Sequence, residues 1–530
     1  MDRNTVRYPI GEQSFEILRK EGFLYVDKTS FIEKIVKGSR YYFLGRPRRF
    51  GKSLFLSTLK AFYEGRRELF KGLYADSMDW HWEEYPVIYI DLNSQQFIDD
   101  DNYTDLDVIL DETLKVHEEK IGIVSFQTNL SARLASLIRR LYEHTGKGVV
   151  LLVDEYDKPL VNNINNPERF VRYRNRLMAL YSNIKSSGEY LKLVFLTGVS
   201  RFGKLSVFSG LNNISDISFD EEFSSICGIT KPELVENFQE GISELSKKYT
   251  RSMDEEIGML KKHYDGYHFS ENLVDIYNPF SLLQVFAKRK YNNYWISSGN
   301  SRLLAEQLRH TDTDLSELIH SQCAQSDLEG LEIEGLSPLA LLYQTGYLTI
   351  KSYDSADDLY TLGLPNLEVR QGFFEQLIPW YTSLRKDESR AFITTLRKEM
   401  ESGEVDKFMG RMRSLFAGFG HDLKFDEERN VQNAMLLIFS LIGMYVEAEV
   451  RNSDGRIDIL VRTDRYVYIM ELKYDKSAEE ALAQIERKEY ALPWSINSRT
   501  IIEIGISYSS TKRRIDDWKT RIHQPDNTQP

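Results

Sequence analysis

Only two cysteines, Cys227 and Cys323, occur in 530 residues, so no disulfide framework holds this chain together. Prolines number 13 and no low-complexity tract or internal repeat stands out, which leaves no long segment that reads as disordered. Long apolar runs are missing as well. The best, near 434–448, is bounded or broken by Asn433, Ser440 and Glu447, too short for the ~20 residues a membrane helix needs. The opening residues MDRNTVRYPIGEQSF lack the apolar core of a signal peptide. With so few cysteines, these absences lead us to expect a cytoplasmic protein with no membrane partner. Positive charge is not in excess either. A net charge of −12 excludes a surface coated all over with nucleic acid and confines any polyanion site to a local groove.

What is present is an ordinary globular composition, 42% hydrophobic and 28% charged, over a length that predicts roughly three domains of ~150 residues. The organising stretch is YYFLGRPRRFGKS, residues 41–53. An apolar strand over Tyr41–Leu44 empties into a basic loop, and a helix starts near Lys52, with apolar residues at helical spacing through LFLSTLKAFYEG. The first turn of a helix presents N–H groups with no partner inside it, so a polyphosphate can bind there. Lys52 would reach the β- and γ-phosphates and the Ser53 hydroxyl would hold Mg²⁺. The usual spacing puts a glycine five residues before Gly51. That position is Arg46, Gly45 sits one residue early, and Pro47, Arg48 and Arg49 fill a loop that is normally small. The alternative is an ordinary strand, basic turn and helix, because a Gly-Lys-Ser tripeptide recurs by chance.

Upstream, residues 8–36 read as a turn at Pro9–Gly11, a helix, a short strand FLYVD and a helix capped by Asp27 or Thr29. Downstream, PVIYIDLN (86–93) is apolar without alternation, as a strand buried on both faces is, and a helical region spans about 103–145. GVVLLVDEYDKPL (148–160) repeats the pattern and ends in Asp154-Glu155, at the strand end where open α/β sheets bind ligands. Asp154 would hold Mg²⁺ opposite Ser53 and Glu155 would polarise an attacking water; the alternative is a pair of acids that cap the next helix. LKLVFLTGVSRFGK (191–204) is a further strand, which in an ATPase sheet lies between the phosphate-loop strand and the Asp154 strand, with Thr197 or Ser200 facing the γ-phosphate. Arg201 has three readings: transition-state charge in cis, a reach into a neighbouring copy of a homo-oligomer, or a surface or salt-bridge residue.

Taken together, YPIGEQSFEILRKEGFLYVDKTSFI, RPRRFGKSL, LLVDEYDKPL and TGVSRFGKLSVFSGLNNI resemble the AAA-ATPase-like family of bacterial proteins, which typically carry a C-terminal nuclease-like domain. The resemblance continues through YDGYHFSENLVDIYNPFSLL (264–283), WISSG (295–299), LLYQTGYLTI (341–350) and YTLGLPNLEVR (360–370). It implies that RPRRFGKS is a family form of the phosphate loop. ATP would then be the cofactor, contacted by Gly45, Gly51, Lys52, Ser53, Asp154, Thr197 and Arg201.

From the residues alone, 230–375 is mainly helical with short strands near 346–350 and 359–363, which fits a lid or winged-helix-like module. Tyr264, Tyr267, His268 and Phe269 could stack on a base, although such aromatics more often form core. GEVDKFMGRMRSLFAG lies in a helical stretch, 376–418, that reads as an amphipathic linker. The expected domains are an ATPase over 1–230, the lid over 231–375, the linker over 376–418 and a nuclease-like domain over 419–530.

That last domain opens at Glu428 with a helix, followed by three strands, YVEAEVR, RIDILVRT and YVYIMELK, and a helix containing AQIERKEY. Glu471 and Lys473, two apart on a strand, share a face, and Asp458 faces them across the ladder. Two carboxylates can coordinate Mg²⁺ while the ammonium orients or activates the water that attacks a phosphodiester. The pattern resembles the PD-(D/E)XK nuclease superfamily. The resemblance puts Asp458, Glu471 and Lys473 on its catalytic residues, with Glu428, Gln484 and Tyr490 in support. Ile457 stands where the superfamily often has proline, Glu449 could add a ligand or face solvent, and chance spacing is the bland alternative. Lys512, Arg513, Arg514, Lys519 and Arg521, beside Trp518, read as a short helix that either grips a nucleic-acid backbone or is a solvated face.

The expectation is an α/β protein: a P-loop NTPase parallel sheet, a helical lid and a restriction-endonuclease-like domain, using ATP and Mg²⁺ on nucleic acid, DNA first. Two other readings stand beside it. One is a nucleotide-dependent switch whose C-terminal domain binds nucleic acid or protein without cutting; the other makes the nuclease fold an assembly interface.

Overall fold

The computed structural model describes the chain except for residues 1–5, 94–104, 123–128, 202–212, 298–314, 330–336, 383, 418–427, 444–446, 454–455, 495–498 and 525–530. It divides into two compact units, Met1–Trp295 with Ser321–Asn366, and Ile296–His320 with Leu367–Pro530.

The first unit is built on a sheet of β1 (Tyr41–Gly45), β2 (Val87–Asp91), β3 (Val149–Asp154), β4 (Leu191–Gly198) and β5 (Ser215–Asp216) in the order β2-β3-β4-β1-β5. Every pairing is parallel. Strands covered on both faces cannot alternate, and all six residues of β3 are buried, each large aliphatic side chain contributing ~1.5–3 kcal/mol. β4 lies between β1 and β3, as expected of an ATPase sheet. The register pairs Gly45 with Gly198 and Asp91 with Asp154, so the chemistry-bearing strand ends share one edge.

The helices of this segment are α1 (Phe15–Lys20), α2 (Ser30–Lys37), which leads into β1, and α3 (Lys52–Tyr63), which follows it. The expected strand FLYVD does not form. Phe23 N bonds Leu18 O and Leu24 N bonds Arg7 O, and the segment packs its side chains without joining a ladder. Thr29 is the residue preceding α2, but Asp27 Oδ1 accepts from Thr29 N at 2.8 Å and from its hydroxyl at 2.7 Å. The region near 103–145 is two helices, Asp105–Lys120 and Leu130–Thr145.

The rest of the unit is helical around Leu234, Phe238, Leu260, Tyr264, Leu282 and Phe286, with Tyr8 stacked on Phe238 and Phe286. Two small sheets complete it, β6 (Ile229–Thr230) with β7 (Ile276–Tyr277), and β8 (Gln322–Cys323), β9 (Thr349–Asp354) and β10 (Leu359–Gly363) in the order β8-β10-β9. Tyr264, Tyr267 and Phe269 are buried, which is the core reading of that cluster.

In the second unit a helix, Glu428–Ile442, precedes the meander β11 (Glu447–Ser453), β12 (Arg456–Arg462) and β13 (Tyr466–Tyr474). Helix Ala478–Arg487 then crosses to β14 (Thr500–Ser509), parallel to β13, and β15 (Arg514–His523) pairs antiparallel on the far edge. Helices Lys386–Glu401 and Val405–Ala417, within the stretch read as a linker, pack on this sheet: Tyr468 OH bonds Met400 O at 2.5 Å and Arg413 Nε bonds Ile515 O at 2.9 Å. The short helix expected at 511–521 is instead β15. Its local charge suits a helix surface, but the open edge of β14 supplies backbone partners from Arg514 onward and Ile515 is buried against the sheet. Among the described residues no helix is long and apolar enough to cross a membrane.

Candidate functional site

The phosphate-loop geometry is built by two left-handed residues. Arg49 (φ 67°) and Gly51 (φ 101°) turn the chain so that α3 begins at Lys52, and a side chain at Gly51 would meet open space. The N-cap residue, Gly51, has no side chain to cap α3, and the first turn of α3 contains no acidic residue, which leaves its positive end suited to an anion. Those features fit a phosphate. Ser53 is the second residue of the helix and is partly exposed.

Lys52 is buried, and its ammonium bonds Arg46 O at 3.0 Å and Pro47 O at 3.3 Å while lying 3.1 Å from Glu155 Oε1. Burial raises the Glu155 carboxyl, but Lys52, with Lys158 and Arg48 beside it, outweighs this and holds it below the usual range. Glu155 also has φ 53°, a conformation that costs a non-glycine residue energy and turns the chain out of the strand. Asp154 accepts from Thr197 Oγ1 at 2.5 Å and from Tyr89 OH at 3.2 Å. Thr197 thus contacts Asp154 directly, and its oxygen also accepts from Glu155 N at 3.3 Å.

Several residues of this site carry no sequence motif of their own. Arg46, where a small glycine is usual, is 2% exposed. It donates to Gly45 O (2.9 Å), Ser218 O (2.7 Å) and Phe223 O (3.1 Å), with its guanidinium 4.2 Å over the Phe269 ring. Burial pulls its pKa down to about 10. Asp157, inside the quoted DEYDKP run, is fully enclosed and accepts from Ser200 N at 2.6 Å and from Val199 N at 3.2 Å. Burial, with Glu155 nearby, pushes its carboxyl up to about 6. A side chain at Gly198 would strike Tyr156 and Asp157 below 3 Å, so glycine is required for this close approach. Arg201 is buried in ion pairs with Asp216 and Glu329 and lies 4.4 Å over Phe219, the salt-bridge arrangement among its three readings. Ser200 accepts from Tyr156 OH through its carbonyl at 2.8 Å.

In the second unit β12 and β13 pair Asp458 with Glu471, so the backbone brings the two acidic positions opposite each other. Glu471 is fully buried and Lys473 nearly so, and Lys473 Nζ lies 2.9 Å from Glu471 Oε1. Gln484 is buried on helix Ala478–Arg487, and Tyr490 packs against the cluster of Val467, Ile469, Ile485 and Ile501. The side chains of Asp458, Glu449 and Glu428 lie outside the described residues; their backbones fall on β12, on β11 and at the start of helix Glu428–Ile442. Among the described residues, to which the Asp458 side chain does not belong, no group of three or more His, Cys, Asp or Glu side chains could hold a metal. A buried carboxylate beside an ammonium, on a strand paired with a second acidic position, nonetheless has the donor chemistry a hard divalent cation requires. Lys519 and Arg521 of the basic run are engaged by Glu479 and Glu486.

A parallel sheet with a Gly-Lys-Ser loop and acids at its strand ends is the P-loop nucleotide-binding architecture, and helix, meander, helix and parallel strand is that of restriction-endonuclease-like domains. Residues 9–208 match the family described as predicted AAA-ATPase, and residues 426–518 match the PD-(D/E)XK nuclease superfamily. An uncharacterized protein from the vnfD 5′ region of Azotobacter chroococcum mcd 1 is 33% identical over 528 residues, which cover 96% of this chain and 98% of that one. The chain belongs to the AAA-ATPase-like family and carries a C-terminal domain of the PD-(D/E)XK nuclease superfamily.

Proposed function

We propose that the protein binds and hydrolyses ATP in its first unit and cleaves nucleic-acid phosphodiesters, DNA first, in its second. The observation that carries the reading is the convergence of Lys52, Glu155, Asp154 and Thr197 at one sheet edge. In this reading residues 1–230 form the ATPase, 231–375 its lid, 376–418 the helical link and 419–530 the nuclease, in a cytoplasmic protein able to form homo-oligomers.

Lys52 leaves Glu155 for the β- and γ-phosphates, and the freed carboxylate accepts a proton from the attacking water. Ser53 and Asp154 would hold Mg²⁺, whose chemistry is to neutralise phosphate charge. Thr197, bonded to Asp154 and Glu155, keeps both acids in register. In the second unit Asp458 and Glu471 would hold Mg²⁺ and Lys473 orients the attacking water.

The test is cleavage by the purified full chain with Mg²⁺ or Mn²⁺, with and without ATP, on duplex DNA, single-stranded DNA and RNA. Nicking that Lys473→Ala abolishes is the expected result. Binding to DNA without nicking would favour the switch reading, and equal nicking by the variant would assign the activity to a contaminant.

A further inference from the structure

Arginine side chains surround the phosphate loop, and Arg46, Arg49 and Arg201 are already committed. Arg46 is buried on the carbonyls of Gly45, Ser218 and Phe223, and Arg201 lies in ion pairs with Asp216 and Glu329. The Arg49 guanidinium sits 4.0 Å over the Phe280 ring. Arg48 differs. It is exposed, and among the described residues its guanidinium makes no hydrogen bond and no direct ion pair. Its charge acts on the site all the same: burial raises the Glu155 carboxyl, and Lys52, then Lys158 and Arg48, outweigh that. Burial, and after it the Arg48 charge, lower the Lys158 ammonium. Arg48 and Lys158 therefore stand beside a carboxylate that Lys52 already pairs, an arrangement suited to an incoming anion.

The backbone on both sides of Arg48 is fixed from distant parts of the first unit. Trp295 Nε1 donates to Arg48 O at 3.0 Å. A side chain at Gly346 would come within 2.8 Å of Pro47 Cβ, so the proline is seated on that glycine. On the other side Arg49, at φ 67°, is anchored by Phe280 on helix Pro279–Lys288. A fixed backbone that carries an unpartnered cation confines reorganisation to one side chain, which favours electrostatic stabilisation of a reacting group.

We propose that Arg48 is a catalytic residue of ATP hydrolysis, its guanidinium contacting the γ-phosphoryl oxygens as the bond to ADP breaks. The inference deepens the ATPase reading of Lys52 and Glu155 and rests on it. In this step the oxygen of water bonds to the γ-phosphorus and its proton passes to Glu155. The bond from that phosphorus to the bridging oxygen breaks, and its electron pair stays on ADP. Glu155 loses its charge as it takes the proton, so the pull of Arg48 towards the carboxylate fades and its pull towards the phosphoryl oxygens is left unopposed. An interaction stronger in the transition state than before it is the kind that accelerates the step. Lys52 is a point charge for the resting phosphates, whereas the planar fork of Arg48 can hold two oxygens of the transferring group.

Phosphate release at saturating ATP and calorimetric titration with ADP, both with Mg²⁺ on the full chain, test this. Arg48→Ala should hydrolyse ATP about 10²-fold more slowly while binding ADP within about twofold of wild type. ADP with tetrafluoroaluminate, which stands in for the phosphoryl group in transit, should bind wild type at least about tenfold more tightly than ADP alone and lose that advantage in Arg48→Ala. Arg48→Lys should recover little of the rate, because an ammonium cannot hold two oxygens as a fork does. The substituted side chain is exposed, so the fold should survive, and Arg48→Gln repeats the comparison with a polar side chain. Hydrolysis by Arg48→Ala within about threefold of wild type overturns the role of Arg48 and leaves the ATPase reading standing. Loss of ADP binding by both Arg48→Ala and Arg48→Gln also overturns it, because the guanidinium would then hold the nucleotide before the step. A wild type that binds no nucleotide, or binds it without hydrolysis, overturns the ATPase reading and the role of Arg48 with it.

Discussion

Lys52 and Glu155 face each other inside the first unit, Nζ 3.1 Å from Oε1, so the cation expected to meet phosphate is held by the acid expected to activate water. A nucleotide must take Lys52 from Glu155. Glu155→Gln removes that competitor, and we expect it to bind ATP about tenfold more tightly while hydrolysing it about 10²-fold more slowly. Calorimetry and phosphate release measure the two effects separately. Weaker ATP binding by the variant would contradict the exchange.

Removing the other partner acts differently. Lys52→Ala leaves the mostly buried Glu155 carboxylate without its ammonium, and we expect a loss of about 3 kcal/mol in urea unfolding together with loss of thermal stabilisation by ATP. Adding Glu155→Gln should recover much of the stability and none of the ATP response. If Lys52→Ala keeps its ATP-induced shift, the lysine is not a phosphate ligand.

Arg46 supports the loop through three carbonyls drawn from two segments, Gly45 and the Ser218–Phe223 stretch. Arg46→Met keeps much of the apolar stem but leaves those carbonyls to find other donors, at about 3 kcal/mol or more. Arg46→Lys should recover little, because one ammonium cannot reproduce the fork of a guanidinium. Chemical denaturation of the two variants decides it, and full rescue by lysine would show that only charge is needed.

Four strands of the first unit's sheet were legible because β1 to β4 are each an unalternating apolar run leading into polar residues, whereas β5, Ser215–Asp216, carries no such run; the place of β4 between β1 and β3 is the one expected of an ATPase sheet. That Asp154 and Thr197 meet at one strand-end edge was legible for the same reason, and the Gly-Lys-Ser tripeptide placed Lys52 and Ser53 at the start of the helix beside it. Arg46 looked like a misfit because its role depends on Ser218 and Phe223, more than 170 residues away. Asp157 was passed over because an acid two residues beyond Glu155 looks like a helix cap until Gly198 brings β4 against it. The charged run at 511–521 misled in the opposite sense: its composition suits a solvated helix, and only pairing with β14 makes it a strand.

Glu471 is fully buried and its neighbour on the same strand face, Lys473, lies 2.9 Å from it. Lys473→Met should therefore lower stability as well as end cleavage, by about 3 kcal/mol as an uncompensated carboxylate is left behind. Glu471→Gln with Lys473→Met should restore stability without activity. Thermal unfolding read alongside nicking separates the structural contribution of the pair from its chemistry, and unchanged stability in Lys473→Met would mean that the ion pair contributes nothing to the fold.

Asp157 supplies a pH signature. Burial raises its carboxyl from an ordinary 3.8 to about 6, so the folded protein binds this proton more tightly than the unfolded chain does. Stability from this group is fully present below about pH 4, declines as pH rises towards 6, and is constant above. Asp157→Asn keeps an oxygen to accept from Ser200 N but carries no titrating proton. The stability of wild type relative to this neutral variant should fall as pH rises from 4 to 7, because only the wild type loses stability across that window through this residue. Urea unfolding of both proteins at pH 4, 5, 6 and 7 gives the difference directly, and groups that titrate in both cancel from it. A difference that stays constant across the four values would mean that Asp157 is ionised throughout and that its backbone bonds to Val199 and Ser200 outweigh its burial.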